Sequence, residues 1–126
     1  MAPDDIAVWE RYLTTYPMQE ARVDYDVRVG EGVNLPDETP PELRRMAKLL
    51  TQKRIDAVVY RTEAVWVIEI KPEAGIAALG QVLTYTALFI AHYKPDLPAI
   101  PVIICDHIDR DMSIIFKSNG ITTITV

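Results

Sequence analysis

The sequence predicts an α/β domain in which a mixed central β-sheet is flanked by helices. Segments that are fully apolar or alternate with period two lie between segments that have the 3.6-residue period of amphipathic helices. Three early strands, two of them joined as a hairpin, precede strands that are reached through helices, which predicts a mixed sheet with helices on both faces. A length of 126 residues suits a single domain over 1–126 with one hydrophobic core.

The first part of the chain predicts a helix, a strand, a loop and a second helix. Residues 4–16 begin with two aspartates and carry apolar residues at helical spacing. Residues 20–29 (EARVDYDVRV) alternate valine or tyrosine with charged residues, which is typical of a half-buried strand. After a loop rich in turn residues, residues 41–51 begin with proline and carry one stripe of leucine and methionine, so they predict a helix.

The second part predicts a hairpin followed by a long helix. Strands at about 54–61 and 64–71 are apolar on both faces, and we expect Pro72 to end the second. The helix at about 74–93 is apolar almost all round, so we expect most of its surface to be covered. The remaining predicted elements are a buried strand at 100–105, a helix at about 108–118 and a short final strand.

The composition is that of an ordinary globular protein, with 49% hydrophobic and 25% charged residues. The first residues are acidic where a signal peptide is basic, and no membrane partner is expected, so the predicted location is cytoplasmic. The single cysteine, Cys105, lies in an apolar run. It excludes an internal disulfide and a cysteine zinc site, and it predicts a buried thiol.

Charge is distributed unevenly along the chain, whose formal net charge is −5. Residues 1–43 carry ten acidic and three basic side chains, whereas residues 44–126 carry eight acidic and ten basic ones. A basic segment follows the acidic first third and contains Arg44, Arg45, Lys48, Lys53 and Arg54. These residues predict either a basic face for a partner or a solvated helix face.

Two acids and a lysine interrupt the apolar hairpin strands. Asp56 lies in the first strand, and Glu69 and Lys71 lie near the end of the second. Alternate residues of a strand share a face, so Glu69 and Lys71 point the same way, and Ile68 and Ile70 point into a core on the other side. Charges in such a strand are costly unless they find a partner. The partners that fit are each other, a divalent metal or a phosphate.

Asp56 followed by Glu69-Ile70-Lys71 resembles the bipartite motif of the PD-(D/E)XK nuclease superfamily. The segment Gln81–Tyr85 on the long helix resembles the QxxxY motif of the RecB-like branch, and Arg54-Ile55-Asp56 is similar to the first motif of that branch. The resemblance covers roughly residues 53–105. It implies a restriction-endonuclease-like core of order αβββαβ, with an inserted helix at about 41–51 and a C-terminal helix and strand.

The resemblance implies a nuclease that depends on Mg²⁺ or Mn²⁺. Magnesium takes oxygen ligands and leaves positions for water and substrate, so Asp56 and Glu69 are the expected protein ligands. The resemblance adds the main-chain carbonyl of Ile70 as a third ligand. The metal would activate a water molecule and polarise the phosphate. Lys71 would orient or deprotonate that water and offset negative charge in the transition state.

The resemblance also suggests roles for residues of two helices. Gln81 and Tyr85 lie four residues apart, hence on one helix face, where they would bind the scissile phosphate or hold Lys71. An acid of the first helix commonly joins such sites. Glu10 is the candidate here, although a solvated helix acid explains it equally well, and Glu20 is a weaker alternative.

The expected substrate is DNA rather than RNA, because stand-alone domains of this size in the superfamily are often phage, mobile-element or repair proteins. We expect Arg44, Arg45, Lys48, Lys53 and Arg54 to bind its phosphates weakly and in a salt-sensitive way. A homodimer or a partner protein is compatible with the sequence.

Three other interpretations stay open. The acidic first third favours a catalytically silent nuclease-fold domain that serves as a structural or interaction component of a larger assembly, such as a phage particle. An accessory nuclease subunit that needs a partner for DNA binding would reconcile an intact site with few basic residues. In the simplest structural alternative, Asp56 and Lys71 form an ion pair between the strands and Glu69 is solvated.

Overall fold

A computed structural model describes residues 1–18 and 22–126, and its elements follow the predicted order. The helices are α1 (Pro3–Thr15), α2 (Pro41–Thr51), α3 (Ile76–Tyr93) and α4 (Ser113–Ser118). The strands are β1 (Arg22–Val29), β2 (Lys53–Tyr60), β3 (Val65–Ala74), β4 (Ala99–Ile108) and β5 (Thr122–Thr125). The first two residues of the strand predicted at 20–29 lie outside the described residues.

The five strands form one mixed sheet in the order β1-β2-β3-β4-β5. Strands β1, β2 and β3 are antiparallel neighbours, whereas β4 and β5 continue the sheet in parallel to β3. Parallel neighbours need a crossover connection, which α3 and α4 supply. The predicted α/β architecture, a mixed sheet flanked by helices, is confirmed.

Helices cover both faces of the sheet. On one face, Trp9 and Tyr12 of α1 pack on Ile68 and Ile70 of β3. On the other face, Phe89 of α3 packs on β2 and β3. The remaining core contacts on the α3 face join α3, β4 and α4 through Ala78, Val82, Ile103, Cys105 and Phe116. The predicted buried thiol is confirmed, because Cys105 is free and fully buried.

In β1 and β2, the alternation of side chains between the α1 face and the α3 face of the sheet is interrupted at the same level. Ile55 packs on the α3 side, but Ala57 packs on the α1 side, although residues two apart share a face in a regular strand. The pairing of β1 with β2 skips Asp26 and Asp56 at this level, and Asp26 has a φ of +50°. The uninterrupted alternation predicted for residues 20–29 is therefore wrong. The irregularity leaves Asp56 outside the β-ladder.

The prediction that Pro72 ends its strand is wrong, since β3 continues to Ala74. Pro72 lies beyond the last pair between β2 and β3, and the pairing of β3 with β4 skips it as well. Its missing N–H therefore removes no ladder hydrogen bond. The helix predicted at 108–118 is also shorter than expected, because β4 extends to Ile108 and a 3₁₀ turn leads into α4.

Helix α3 is less covered than its composition predicts. Its buried residues are Ala78, Val82, Thr86 and Phe89, whereas Ile76 is 76% exposed. With 18 residues and a mean hydropathy of 1.3, α3 is long and apolar enough to cross a membrane by those two criteria alone. It nevertheless packs lengthwise on the sheet, which is how a core helix is placed.

Candidate active site

The hairpin strands separate at the level of Asp56. Their main-chain pairing ends at Ala57 and Ile68, and beyond it Asp56 Oδ2 accepts a hydrogen bond of 2.8 Å from the main-chain nitrogen of Ile70. The N–H and C=O groups of one strand residue point toward the same neighbouring strand. The Ile70 carbonyl is therefore expected to face the gap that Asp56 occupies, which suits the metal-ligand role implied for both residues.

Glu69 is a buried carboxylate beside Asp56. Its exposed fraction is only 5%, and its Oε2 atom has no hydrogen-bond partner among the described residues. Burial and the negative charge of Asp56 raise the pKa of Glu69 to about 8, although Lys71 acts in the opposite direction. Burial also raises the pKa of Asp56. The two carboxyl groups thus lie close enough to repel each other, and a cation between them would relieve both effects.

Lys71 is paired with Glu69. Its Nζ atom lies 3.6 Å from Glu69 Oε1, and 31% of its side chain stays exposed. The structural alternative, an ion pair between Asp56 and Lys71 with a solvated Glu69, is therefore wrong. Alternation along β3 brings Glu69 and Lys71 to the same face, as predicted. The ammonium group contacts Glu69 and still reaches solvent.

Helix α3 adds a phenol and an amide to the same face of the sheet. Burial and the negative charge of Glu69 raise the pKa of the Tyr85 hydroxyl, while Lys71 lowers it, so the three side chains are neighbours. Gln81 lies one turn earlier and has a buried Oε1 atom that lacks a hydrogen-bond partner among the described residues. The structure thus gathers Asp56, Glu69, Lys71 and Tyr85, and Gln81 lies one turn from Tyr85 on the same helix.

The residues present fit a hard divalent cation. Two buried oxygen acceptors, Glu69 Oε2 and Gln81 Oε1, lack a donor within the described part of the chain, and buried acceptors normally have one. No group of three or more His, Cys, Asp or Glu side chains in residues 1–18 and 22–126 is arranged to hold a metal. Magnesium is usually held by only one or two carboxylates, with water and phosphate completing its shell. Asp56 and Glu69 satisfy that requirement.

Asp5 is the acid of α1 whose charge affects Asp56 and Glu69, and the sequence analysis missed it. It is half-buried, and its negative charge contributes to the raised pKa of both Asp56 and Glu69. Its spacing to Val8, Trp9 and Tyr12 is i+3, i+4 and i+7, so it lies on the buried face of α1. This spacing could have identified Asp5 from the sequence as an acid on the buried face of α1.

Glu10 lies elsewhere on α1. Its side chain is exposed and lines a shallow cleft with Thr14 and Val126. The interpretation of Glu10 as a solvated helix acid fits this position, and its role in the site stays an untested prediction. Glu20 lies outside the described residues.

Substituting Asp5 by asparagine is expected to weaken binding of Mn²⁺ about tenfold, because the variant removes a negative charge next to the two proposed ligands. Isothermal titration calorimetry with MnCl₂ measures this affinity. Asp4→Asn is the matched control, because Asp4 is an exposed acid of the same helix, and it is expected to bind Mn²⁺ like the unmodified protein. Equal affinities for all three proteins would contradict a role for Asp5.

The predicted nucleic-acid-binding residues fall into two groups. Lys53 and Arg54 begin β2, so they lie within three residues of Asp56. The second group, on α2, consists of Arg44, Arg45 and Lys48. Helix α2 is attached beside the end of β1 by hydrogen bonds from Arg28 Nε to the Leu49 carbonyl (3.3 Å) and from the Val33 nitrogen to Thr51 Oγ1 (2.7 Å). Both groups therefore belong to the end of the sheet that carries the acid pair.

Comparison with known proteins supports the fold alone. No model of a protein family matches the chain, and no curated protein matches it. The chain is similar to the crystal structure of AF1548, a protein of unknown function, with a TM-score of 0.50 and 17% sequence identity. The alignment covers 95% of this chain and 54% of AF1548, so the chain spans about half the length of that protein.

Proposed function

We propose that this protein is a Mg²⁺-dependent nuclease that hydrolyses phosphodiester bonds in DNA. One observation carries the proposal. Glu69, only 5% exposed, lies next to Asp56 and keeps one carboxylate oxygen without a partner among the described residues. A buried charge in that state destabilises the fold unless a ligand compensates it. A divalent cation that also binds a phosphate is the ligand that suits two carboxylates beside a lysine.

The order of elements supports a restriction-endonuclease-like core of the PD-(D/E)XK type, RecB-like branch. Leaving out α2 as an insertion, the chain runs α1-β1-β2-β3-α3-β4, which is the expected αβββαβ order. Asp56 lies on the second strand, Glu69 and Lys71 on the third, and Gln81 and Tyr85 on the following helix. Each motif lies on the element that the resemblance implies.

The chain's own groups would divide the chemistry between them. Asp56, Glu69 and the Ile70 carbonyl would hold the cation, which when bound supplies an activated water and polarises the phosphate. Lys71, held by Glu69 and partly exposed, would orient the attacking water and neutralise charge that develops on the phosphate. Tyr85 and Gln81 would donate hydrogen bonds to the scissile phosphate. In this scheme Glu69 both binds the cation and positions Lys71.

The basic residues at the start of β2 and on α2 would bind the DNA backbone. The affinity is expected to be weak and to fall steeply with salt, because the formal net charge of the chain is −5. A cytoplasmic location and a homodimer or partner protein stay predictions.

A DNA-cleavage panel tests the proposal. Purified protein is incubated with linear, nicked, branched and single-stranded DNA in Mg²⁺ or Mn²⁺ at low ionic strength, and with EDTA as the control. We expect cleavage of at least one substrate with metal and none with EDTA. Absence of cleavage on every substrate, together with absence of Mn²⁺ binding by calorimetry, would contradict the nuclease.

A second candidate function is an interaction component of a larger assembly. Helix α2 has no buried residue, and its apolar side chains Leu43, Met46 and Leu50 are exposed, Leu50 by 77%. Exposed apolar side chains on one helix face are typical of a protein–protein contact. Mn²⁺ binding without cleavage of any DNA would favour this candidate or an accessory subunit.

A further inference from the structure

We propose that Arg28 and Arg54 form a clamp for a phosphate group of the nucleic-acid backbone next to the scissile phosphate. The inference rests on the proposed nuclease function and deepens it, because it says where the substrate strand leaves the site. Arg28 of β1 and Arg54 of β2 are direct cross-strand partners in the antiparallel pairing. Both side chains are exposed.

The two guanidinium groups project from the same side of the sheet. The flanking residues Val27, Val29 and Ile55 pack toward α3, so Arg28 and Arg54, which alternate with them, project from the opposite face. Directly opposite residues have Cβ atoms about 4.5–5.5 Å apart. Like charges in that arrangement are destabilising unless an anion lies between them.

No carboxylate within the described part of the chain forms an ion pair with either arginine. Asp26, the acid nearest to Arg28 along β1, contacts the amino group of Met1 at 3.8 Å instead. Arg28 uses its Nε–H for the Leu49 carbonyl, and within the described part of the chain its terminal nitrogen atoms have no further partner, so they can bind a ligand. The planar fork of a guanidinium matches the oxygen atoms of a phosphate.

Arg22, on the same strand as Arg28, differs because its guanidinium group has partners. It forms an ion pair of 2.8 Å with Asp24, and its guanidinium stacks 4.5 Å from the centre of the Tyr60 ring. Arg28 and Arg54 have neither kind of partner among the described residues. Among the described residues, the two ends of the β1–β2 ribbon therefore differ, and the end near Asp56 keeps two neighbouring positive charges without a counter-ion.

The position of the pair suits a phosphate that follows the scissile one. Arg54 precedes Asp56 by two residues, a distance of about 6.6 Å along a strand. Asp56 lies at the gap where β2 separates from β3. A backbone held by a cation at that gap would cross the start of β2 toward β1 on the face opposite α3. The clamp would bind a non-reacting phosphate, so Arg28 and Arg54 act as substrate-positioning residues.

Oligonucleotide binding without metal tests the clamp separately from catalysis. A fluorescent single-stranded oligonucleotide is titrated in EDTA over a series of salt concentrations against the unmodified protein, Arg54→Gln, Arg28→Gln and the control Arg22→Gln. We expect the two clamp variants to bind about tenfold more weakly. Their slope of log affinity against log salt is expected to fall by about one. Arg22→Gln is expected to retain the affinity and the slope.

Thermal unfolding gives a second measurement that needs no DNA. Inorganic phosphate is expected to raise the Tm of the unmodified protein and of Arg22→Gln more than that of Arg54→Gln. Unchanged binding by Arg28→Gln and Arg54→Gln, or equal losses in all three variants, would overturn the clamp. If both variants bind weakly but the unmodified protein cleaves no DNA, the clamp stands and the nuclease fails. If both variants bind normally while the unmodified protein cleaves DNA, the clamp fails and the nuclease stands.

Discussion

Replacing Lys71 by alanine is expected to lower the rate of DNA cleavage at least about a thousandfold, because it removes the group proposed to stabilise charge on the phosphate and to orient the attacking water. Asp56→Asn is expected to reduce the rate as much, since it removes the charge of a proposed metal ligand and the strong acceptor of the Ile70 N–H group. Single-turnover cleavage of the best DNA substrate at saturating Mg²⁺ measures both effects.

Matched surface variants separate these losses from general damage. Lys117→Ala removes an exposed lysine of α4, and Glu63→Gln removes an exposed acid of the turn between β2 and β3. Both controls are expected to cleave DNA at the unmodified rate. Lys71→Ala is further expected to bind Mn²⁺, whereas Asp56→Asn is expected to lose most of its affinity. Cleavage by Lys71→Ala at a rate close to that of Lys117→Ala would contradict the assigned role.

Glu69→Gln is expected to abolish cleavage and, without metal, to make the folded protein more stable by about 2 kcal/mol at pH 8. The gain follows from burial, because the ionised carboxylate has one oxygen without a partner among the described residues and a negative neighbour in Asp56. The isosteric amide carries no charge to desolvate. Chemical denaturation in EDTA measures the free energy of unfolding. A loss of stability in this variant would contradict the view that Glu69 is retained for ligand binding.

The pH dependence of stability has a defined sign. The pKa of Glu69 is raised from 4.5 in the unfolded chain to about 8 in the folded protein. Between these two pH values the folded state binds more protons than the unfolded state, so the free energy of unfolding falls as the pH rises, and this contribution is constant above about pH 8. Glu69→Gln removes that contribution, and its stability is expected to vary less with pH.

Magnesium is expected to reverse the same trend, because a cation at the proposed site would bind the ionised carboxylates and release a proton. Stabilisation by Mg²⁺ is therefore expected to be larger at pH 8 than at pH 6 in the unmodified protein. Glu69→Gln and Asp56→Asn are expected to show almost none at either pH. An equal shift in Tm for all three proteins would indicate that the cation binds elsewhere.

The order of the elements could be predicted because each depends on local pattern. Apolar periodicity and the prolines before α2 and after α3 place nearly every helix and strand within a few residues of the structure. The same periodicity identified Asp56, Glu69 and Lys71 as charges in buried strands. The same kind of pattern could have identified Asp5, because its spacing to Trp9 and Tyr12 places it on the buried face of α1.

Features that arise from pairing between strands were not predictable in this way. Pro72 ends a strand only where a neighbour needs its N–H, and β2 has already separated from β3 at that level. The reversal of faces at Asp26 and Asp56 depends on two strands that lose their pairing together. The apolar surface of α3 is partly uncovered because the sheet contacts only one side of the helix.

The sequence by itself determined the types and order of the elements and the presence of two acids and a lysine in buried strands, since side-chain periodicity is a property of the local chain. Only the tertiary structure decided which of these charges meet. The separation of β2 from β3 beyond Ala57 and Ile68 directs Asp56 to the Ile70 nitrogen and leaves Glu69 to pair with Lys71. Distances across a sheet depend on where its ladder ends, and no single segment encodes that point.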